Sequence, residues 1–246
     1  SRDAAPDPTR SLLSSCSGRI LHVLFVLTGA LLVGEPCPGE TLLRAAASIP
    51  RVSIIAHRSG LDRVEALLAR IGRREGVDVV AAPDSAELWG WAQDRCVVCR
   101  SDRSGALLIV HGPQAQAADT ARYTIAVLPE AQRAATTLRL EGGNILADGE
   151  VCFIGADLAD DNPQPDFAER FRAEIDSRRA VEVVGGATPL PRRGPARFAI
   201  EPGDLRWRQA VDRSLSRPGT RQPVFHLDMF MTLAGLGAEG RLRVLV

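Results

Sequence analysis

The apolar run at residues 225–232 holds a histidine and an aspartate two positions apart, His226 and Asp228. Residues two apart on an extended strand point to the same face. We therefore predict a strand over residues 224–232 from which the imidazole and the carboxylate project together. Burying both groups without partners would be costly. They either complete a hydrogen-bonded network in the core or line a pocket.

Two other acidic residues stand beside features that suggest a site. Asp94 follows Trp89 and Trp91 and precedes an apolar run, so its carboxylate would be partly desolvated. Glu141 is followed by two glycines and Asn144, and glycines there permit a tight turn or the close approach of a ligand. Ordinary structure explains each stretch as well. Asp94 would then cap a turn or pair with the arginine that follows it, and Glu141 would open a β-turn.

Taken together, Asp94, Glu141 and Asp228 supply carboxylates and His226 supplies an acid/base. A planar guanidinium is a substrate that needs all of these groups at once, because its N–H donors form a rigid fork that pairs bidentately with carboxylates. Converging carboxylates would hold this cation for attack at its central carbon. A histidine, which titrates near neutral pH, could protonate departing ammonia and then activate water.

The elements that must position these residues follow a regular order. We predict strands over residues 52–56, 77–82, 96–99, 106–111, 145–147, 151–154 and 180–184, and helices over 61–71, 166–175 and 204–215. Asp148-Gly149 is a strong hairpin signal between two of these strands. The recurrence of strand, hairpin, helix and strand in blocks of a few dozen residues favours radially repeated α/β units over a doubly wound sheet.

Composition excludes some classes of function. The 246 residues carry a formal net charge of zero, which gives no electrostatic support for a nucleic-acid partner. All 30 basic residues are arginine, so a mechanism that uses a lysine nucleophile or Schiff base is excluded.

Cysteine usage and the apolar run at residues 20–33 bear on location. Five irregularly spaced cysteines argue against a disulfide framework and favour a reducing compartment, so we expect a cytoplasmic protein. The run at 20–33 is short for a membrane span and predicts one or two buried strands. An exported protein, with this run as a signal or anchor, is the alternative.

Three motifs then carry a resemblance: W-x-x-D from Trp91 to Asp94, E-G-G-N from Glu141 to Asn144, and H-L-D-x-F-x-T from His226 to Thr232. In this order they resemble the guanidine-modifying enzymes of the pentein superfamily, which include arginine, agmatine and peptidylarginine deiminases. The resemblance implies an α/β propeller of repeated ββαβ-like units, incomplete at the C-terminus, and a hydrolase that releases ammonia from a small guanidinium compound or a peptidyl arginine.

The resemblance also implies a role for each residue. Asp94 and Asp228 would grip the guanidinium, Glu141 would orient it, and His226 would be the general acid/base. Asn144 and Trp91 would join these carboxylates in binding the substrate. Neither a cofactor nor a metal is implied, no membrane or nucleic-acid partner is expected, and an oligomer is compatible with the motifs.

The sequence departs from the family in its nucleophile. Family members use a cysteine thiolate well downstream of the H-x-D motif, whereas here 18 residues follow Asp228 and none is cysteine. We therefore expect a C-terminally truncated piece, with a loose arm at residues 1–18 and a partial catalytic domain at 19–246, that is inactive or weakly active. Cys96, two residues from Asp94, is a candidate substitute. A non-catalytic binding protein or pseudoenzyme and an amidinotransferase are the alternatives.

Overall fold

The computed structural model describes residues 9–15, 19–34, 37–187, 226–229 and 231–246. Its strands are β1 (Arg10–Leu12), β2 (His22–Leu27), β3 (Arg51–His57), β4 (Val77–Ala82), β5 (Cys96–Ser101), β6 (Leu107–His111), β7 (Ala131–Ala135), β8 (Ile145–Asp148), β9 (Val151–Gly155), β10 (Ala180–Val184), β11 (Thr232–Leu236) and β12 (Leu242–Leu245). Its α-helices are α1 (Pro38–Ala45), α2 (Leu61–Ile71), α3 (Ala115–Val127), α4 (Ala156–Asp161) and α5 (Phe167–Glu174). The chain divides into two compact units, one with β1–β7 and α1–α3, the other with β8–β12, α4 and most of α5.

The first sheet of the first unit consists of β2, β3 and β4, all parallel. Helices α1 and α2 connect its strands and pack on it through a core that includes Leu43, Ile54 and Leu68. Helix α2 buries side chains three and four residues apart, as an amphipathic helix does. It ends at Gly72, whose φ of 66° is the left-handed conformation that glycine adopts at little cost.

The second sheet of this unit has the order β1-β5-β6-β7. Strands β5 and β6 form an antiparallel hairpin. Helix α3 follows β6 and leads to β7, which pairs with β6 in parallel. A small core of Cys96, Ile109, Ala121 and Ala131 fills the space between this sheet and α3.

The second unit repeats this plan. Strands β8 and β9 form an antiparallel hairpin through Gly149, whose φ is 53°, and β10 pairs with β9 in parallel after α4 and α5. The order β5-β6-β7 is thus matched by β8-β9-β10, and hairpin, helix and parallel strand recur as the sequence predicted. A further antiparallel pair, β11 and β12, belongs to this unit, and Leu227, Met231 and Leu233 form a core with Leu146.

Two predictions are corrected. Residues 224–232 do not form one strand: Leu227–Met229 is a 3-10 turn, and β11 begins only at Thr232. Part of the expected loose arm is ordered, because Arg10–Leu12 pairs with β5. The helix predicted over 204–215 lies outside the described residues. The mixed α/β fold with several sheets is confirmed.

The apolar run at residues 20–33 forms β2 and the 3-10 turn Gly29–Leu32. One strand of six residues therefore forms within the segment for which one or two strands were predicted. Within the described part of the chain, no helix has both the length and the apolar character that crossing a bilayer requires.

Candidate functional site

Glu141 and Asn144 are positioned by a 3-10 turn, Gly142–Asn144, that leads directly into β8. Glu141 keeps an extended backbone before the turn, and its carbonyl accepts the Asn144 amide at 2.8 Å. The two glycines and Asn144 are buried, whereas the Glu141 side chain keeps 23% of its surface exposed. The backbone of this turn is therefore buried, whereas the Glu141 carboxylate remains accessible to solvent.

His226 and Asp228 are held by a second 3-10 turn, Leu227–Met229. Leu227, between them, is completely buried in the core of the second unit, and its carbonyl accepts the Met231 amide at 2.8 Å. The buried leucine fixes the turn, so the two residues that flank it lie toward the surface. The sequence predicted that His226 and Asp228 would share one face of a strand. In the structure they lie on the same side of a turn because Leu227 between them is buried.

Glu141, His226 and Asp228 form an array that we call the carboxylate–imidazole cluster. His226 Nε2 lies 3.8 Å from Glu141 Oε2, and His226 Nδ1 lies 4.0 Å from Asp228 Oδ1. Both separations exceed a direct hydrogen bond. Exposure rises from 12% at His226 through 23% at Glu141 to 38% at Asp228. The imidazole is thus the innermost group of the three, and the Asp228 carboxylate is the most open to a ligand.

Gly143 provides the surface against which His226 and Asp228 rest. A Cβ at this position would lie 2.5 Å from His226 Nδ1, 2.9 Å from its Cγ and 3.1 Å from Asp228 Oδ1. The sequence had associated the double glycine with a tight turn or a close ligand. What approaches Gly143 is the imidazole itself, so the E-G-G-N and H-L-D motifs meet directly.

Asn144 joins the two turns through its carboxamide. Its Nδ2 donates to Glu141 Oε2 and its Oδ1 accepts the Leu227 amide, each at 3.2 Å. The residue has no exposed surface. The structure therefore brings four of the predicted site residues together: Glu141, Asn144, His226 and Asp228.

Asp94 and Trp91 belong to the other compact unit, and their role in the site stays a prediction. Asp94 ends the 3-10 turn Ala92–Asp94, and its amide donates to the Trp91 carbonyl at 3.0 Å. Trp91 is 67% exposed. The next residue, Arg95, stacks its guanidinium 4.9 Å from the centre of the Trp89 ring. The exposed indole of Trp91 thus precedes the Asp94 carboxylate by three positions in the sequence.

Cys96, the candidate substitute nucleophile, has the wrong environment for that role. Its side chain is in the core beneath α3, and its thiol donates to the Ala92 carbonyl at 3.6 Å. Burial raises the pKa of the Cys96 thiol to about 12, so the group stays protonated at neutral pH. The structure therefore argues against Cys96 as an attacking thiolate. Within the described part of the chain, no cluster of three or more histidine, cysteine or acidic side chains is arranged to hold a metal ion.

The repeated hairpin–helix–strand units define a mixed α/β fold with several sheets, and comparison with solved structures finds the same class. The chain superposes on a crystal structure of a "putative agmatine deiminase" with a TM-score of 0.60 and 16% identity, over 74% of this chain and 56% of that one. The agmatine deiminase of C. jejuni matches with a TM-score of 0.48 and 13% identity, over 72% and 56% of the two chains. No protein-family model and no curated protein matches the sequence.

The match therefore spans little more than half the length of these solved chains. At 16% identity and a TM-score of 0.60, the first of these matches shows that the chain shares its fold with that solved structure.

Proposed function

We propose that this chain binds a guanidinium compound and provides the acid–base part of a deiminase site. One observation carries the proposal: His226 stands between the carboxylates of Glu141 and Asp228, at 3.8 and 4.0 Å, in a chain that shares the fold of an agmatine deiminase structure. Carboxylates beside an imidazole suit a planar cation that must be held while protons pass between the water that attacks its central carbon and the nitrogen that leaves.

In this proposal Asp228, the most exposed carboxylate, makes the main ionic contact, and Glu141 orients the guanidinium against the imidazole. His226 takes a proton from the water that attacks the guanidinium carbon and passes it to the nitrogen whose C–N bond then breaks, so one guanidinium cation and one water give a neutral ureido product and an ammonium ion. The resemblance alone supports three further parts of the proposal: Asp94 as a further carboxylate, Trp91 as a flanking aromatic, and the propeller arrangement of the repeated units.

Binding without chemistry is the second candidate, and the cysteines favour it. The four that the structure describes, Cys37, Cys96, Cys99 and Cys152, are all buried. The covalent route implied by the resemblance needs a thiolate beside the guanidinium carbon. We therefore expect ligand binding to be measurable for the 246-residue chain whether or not the chain converts the ligand to product.

A cytoplasmic location remains part of the proposal.

Calorimetric titration of the 246-residue chain tests the proposal. Agmatine, L-arginine and a blocked arginine peptide distinguish the three substrate types, and L-citrulline is the matched control because its ureido group is planar but uncharged. We expect a guanidinium ligand to bind at least tenfold more tightly than citrulline. An ammonia-release assay with the same compounds tests the chemistry separately.

The variant Asp228→Asn tests the assigned contact. A hydrogen bond to a charged group contributes about 1.5–3 kcal/mol. The partial exposure of Asp228 places the expected loss near the lower end of that range, or about tenfold in affinity. Asp62→Asn, an exposed carboxylate in the first turn of α2, is the matched control. Binding of all three guanidinium compounds no tighter than that of citrulline, or unchanged binding by Asp228→Asn, would contradict the assignment.

A further inference from the structure

Asn144 is the buried residue that connects the two turns of the carboxylate–imidazole cluster. Its position in the sequence, 83 residues before Leu227, gives no indication of this contact, yet one carboxamide reaches both turns. The amide nitrogen donates to the Glu141 carboxylate, and the amide oxygen accepts the backbone N–H of Leu227. The side chain thus spans the elements that carry all three members of the cluster.

The burial of Asn144 conflicts with the direct substrate contact that its motif suggested. None of its surface is exposed, and both ends of its carboxamide are engaged within the protein. A ligand in contact with Glu141 or Asp228 would not reach it. Its influence on a ligand must therefore pass through the groups that it holds.

We propose that Asn144 is a positioning residue that sets the Glu141 carboxylate against His226; this inference rests on the proposed function. The contact to Glu141 is charge-assisted, which makes it stronger than a neutral hydrogen bond. It directs Oε2, the oxygen that lies 3.8 Å from His226 Nε2. The hydrogen bond to the Leu227 amide fixes the position of the turn that bears His226 and Asp228. One side chain thereby controls both sides of the cluster.

The two hydrogen bonds can be separated by substitution. Asn144→Asp keeps an acceptor for the Leu227 amide but replaces the donor to Glu141 with a second carboxylate, which repels the first. Asn144→Ala removes both contacts and leaves a buried backbone N–H without its acceptor. A role limited to the turn predicts loss of function only in the alanine variant. A role in positioning Glu141 predicts loss in both.

Hydrogen exchange tests the backbone contact without any ligand. In the unaltered chain we expect the Leu227 amide to exchange at least tenfold more slowly than the same amide in Asn144→Ala. In Asn144→Asp its protection should be retained. A Leu227 amide that is unprotected in the unaltered chain, or equally protected in Asn144→Ala, overturns the inference. If the alanine variant fails to fold, an unprotected Leu227 amide in the unaltered chain would still overturn the inference.

A double-mutant cycle on affinity for agmatine or L-arginine tests the contact to Glu141. We expect Asn144→Asp to weaken binding by about tenfold in the unaltered chain and by less than twofold when Glu141→Ala is already present. A purely structural role would give the same loss in both backgrounds and would overturn the inference. Absence of any guanidinium binding by the unaltered chain overturns the proposed function instead. In that case the exchange of Leu227 still decides whether Asn144 holds the two turns together.

Discussion

Replacement of Gly143 by alanine perturbs the cluster at the point where its two motifs touch. The new Cβ would stand 2.5 Å from His226 Nδ1, 2.9 Å from Cγ of the same ring and 3.1 Å from Asp228 Oδ1. Ordinary contacts between heavy atoms lie near 3.5–4.0 Å. The imidazole must therefore retreat by about 1 Å or the turn must open. Either movement displaces the ring from the carboxylates on both of its sides.

The expected cost follows from this geometry. Overpacking of a well-filled site costs about 1–3 kcal/mol. If the ring moves to relieve the contact and a guanidinium ligand requires it to return, that cost appears as lost affinity for the ligand, about tenfold or more. If the ring holds its place, the same cost appears as a lower free energy of unfolding. We expect the first result to dominate, because His226 retains some exposed surface toward which it can shift.

Calorimetric titration with agmatine or L-arginine and chemical denaturation measure the two quantities on the same protein. Gly29→Ala is the matched control, since a Cβ at Gly29 meets nothing within 4 Å and the backbone there is unstrained. The control should change neither affinity nor stability by more than a small amount. Affinity within twofold and stability within about 0.5 kcal/mol for Gly143→Ala would refute the close approach of His226 to this glycine.

Two other predictions concern titratable groups outside the cluster. Burial, followed by the nearby Arg51, lowers the pKa of His22 below 6.5, so the folded state disfavours its protonated form. This contribution to stability is fully present above about pH 6.5 and is lost as the pH falls through the folded pKa. The free energy of unfolding should therefore decrease more between pH 8 and pH 5 in the unaltered chain than in His22→Gln; an equal decrease would contradict the reasoning. Because burial raises the pKa of Cys96 to about 12, iodoacetamide at pH 7.5 should label it slowly in the native chain and quickly after unfolding, as followed by mass spectrometry. Rapid labelling of the native thiol would restore Cys96 as a candidate nucleophile.

The fold could be predicted where bulky apolar residues repeat at a clear period. Helix α2 and strands β3 and β4 show such patterns, with Gly72 directly after the helix and Pro83 directly after β4. Helix α3 buries mainly small residues, among them Ala117, Thr120, Ala121 and Thr124. Side chains of this size give little periodic signal. Strand β7, with the sequence AQRAA, consists of poor strand formers and owes its conformation to pairing with β6.

The residues of the cluster were predictable because polar groups in apolar surroundings are conspicuous. Their exact contacts were not predictable, since the carboxamide of Asn144 reaches a backbone amide 83 residues away. Such a link depends on how two turns pack and leaves no trace in local spacing. For the same reason the sequence could not distinguish a ligand near Gly143 from the ring of His226.

The alternation of polar, apolar and polar residues at 226–228 correctly predicted that His226 and Asp228 lie on the same side of the chain, although the strand predicted for them is a 3-10 turn. In a strand the middle residue faces one way and its neighbours face the other. In a 3-10 turn successive residues are spaced by about 120°, so a buried middle residue also leaves its two neighbours on the outward side. Burial of Leu227 thus fixes the placement of His226 and Asp228 under either geometry. The turn differs in one respect that the proposed function uses. Its Leu227 backbone N–H donates to Asn144 Oδ1 rather than to a neighbouring strand, and through Asn144 this contact links the turn that bears His226 to the Glu141 carboxylate.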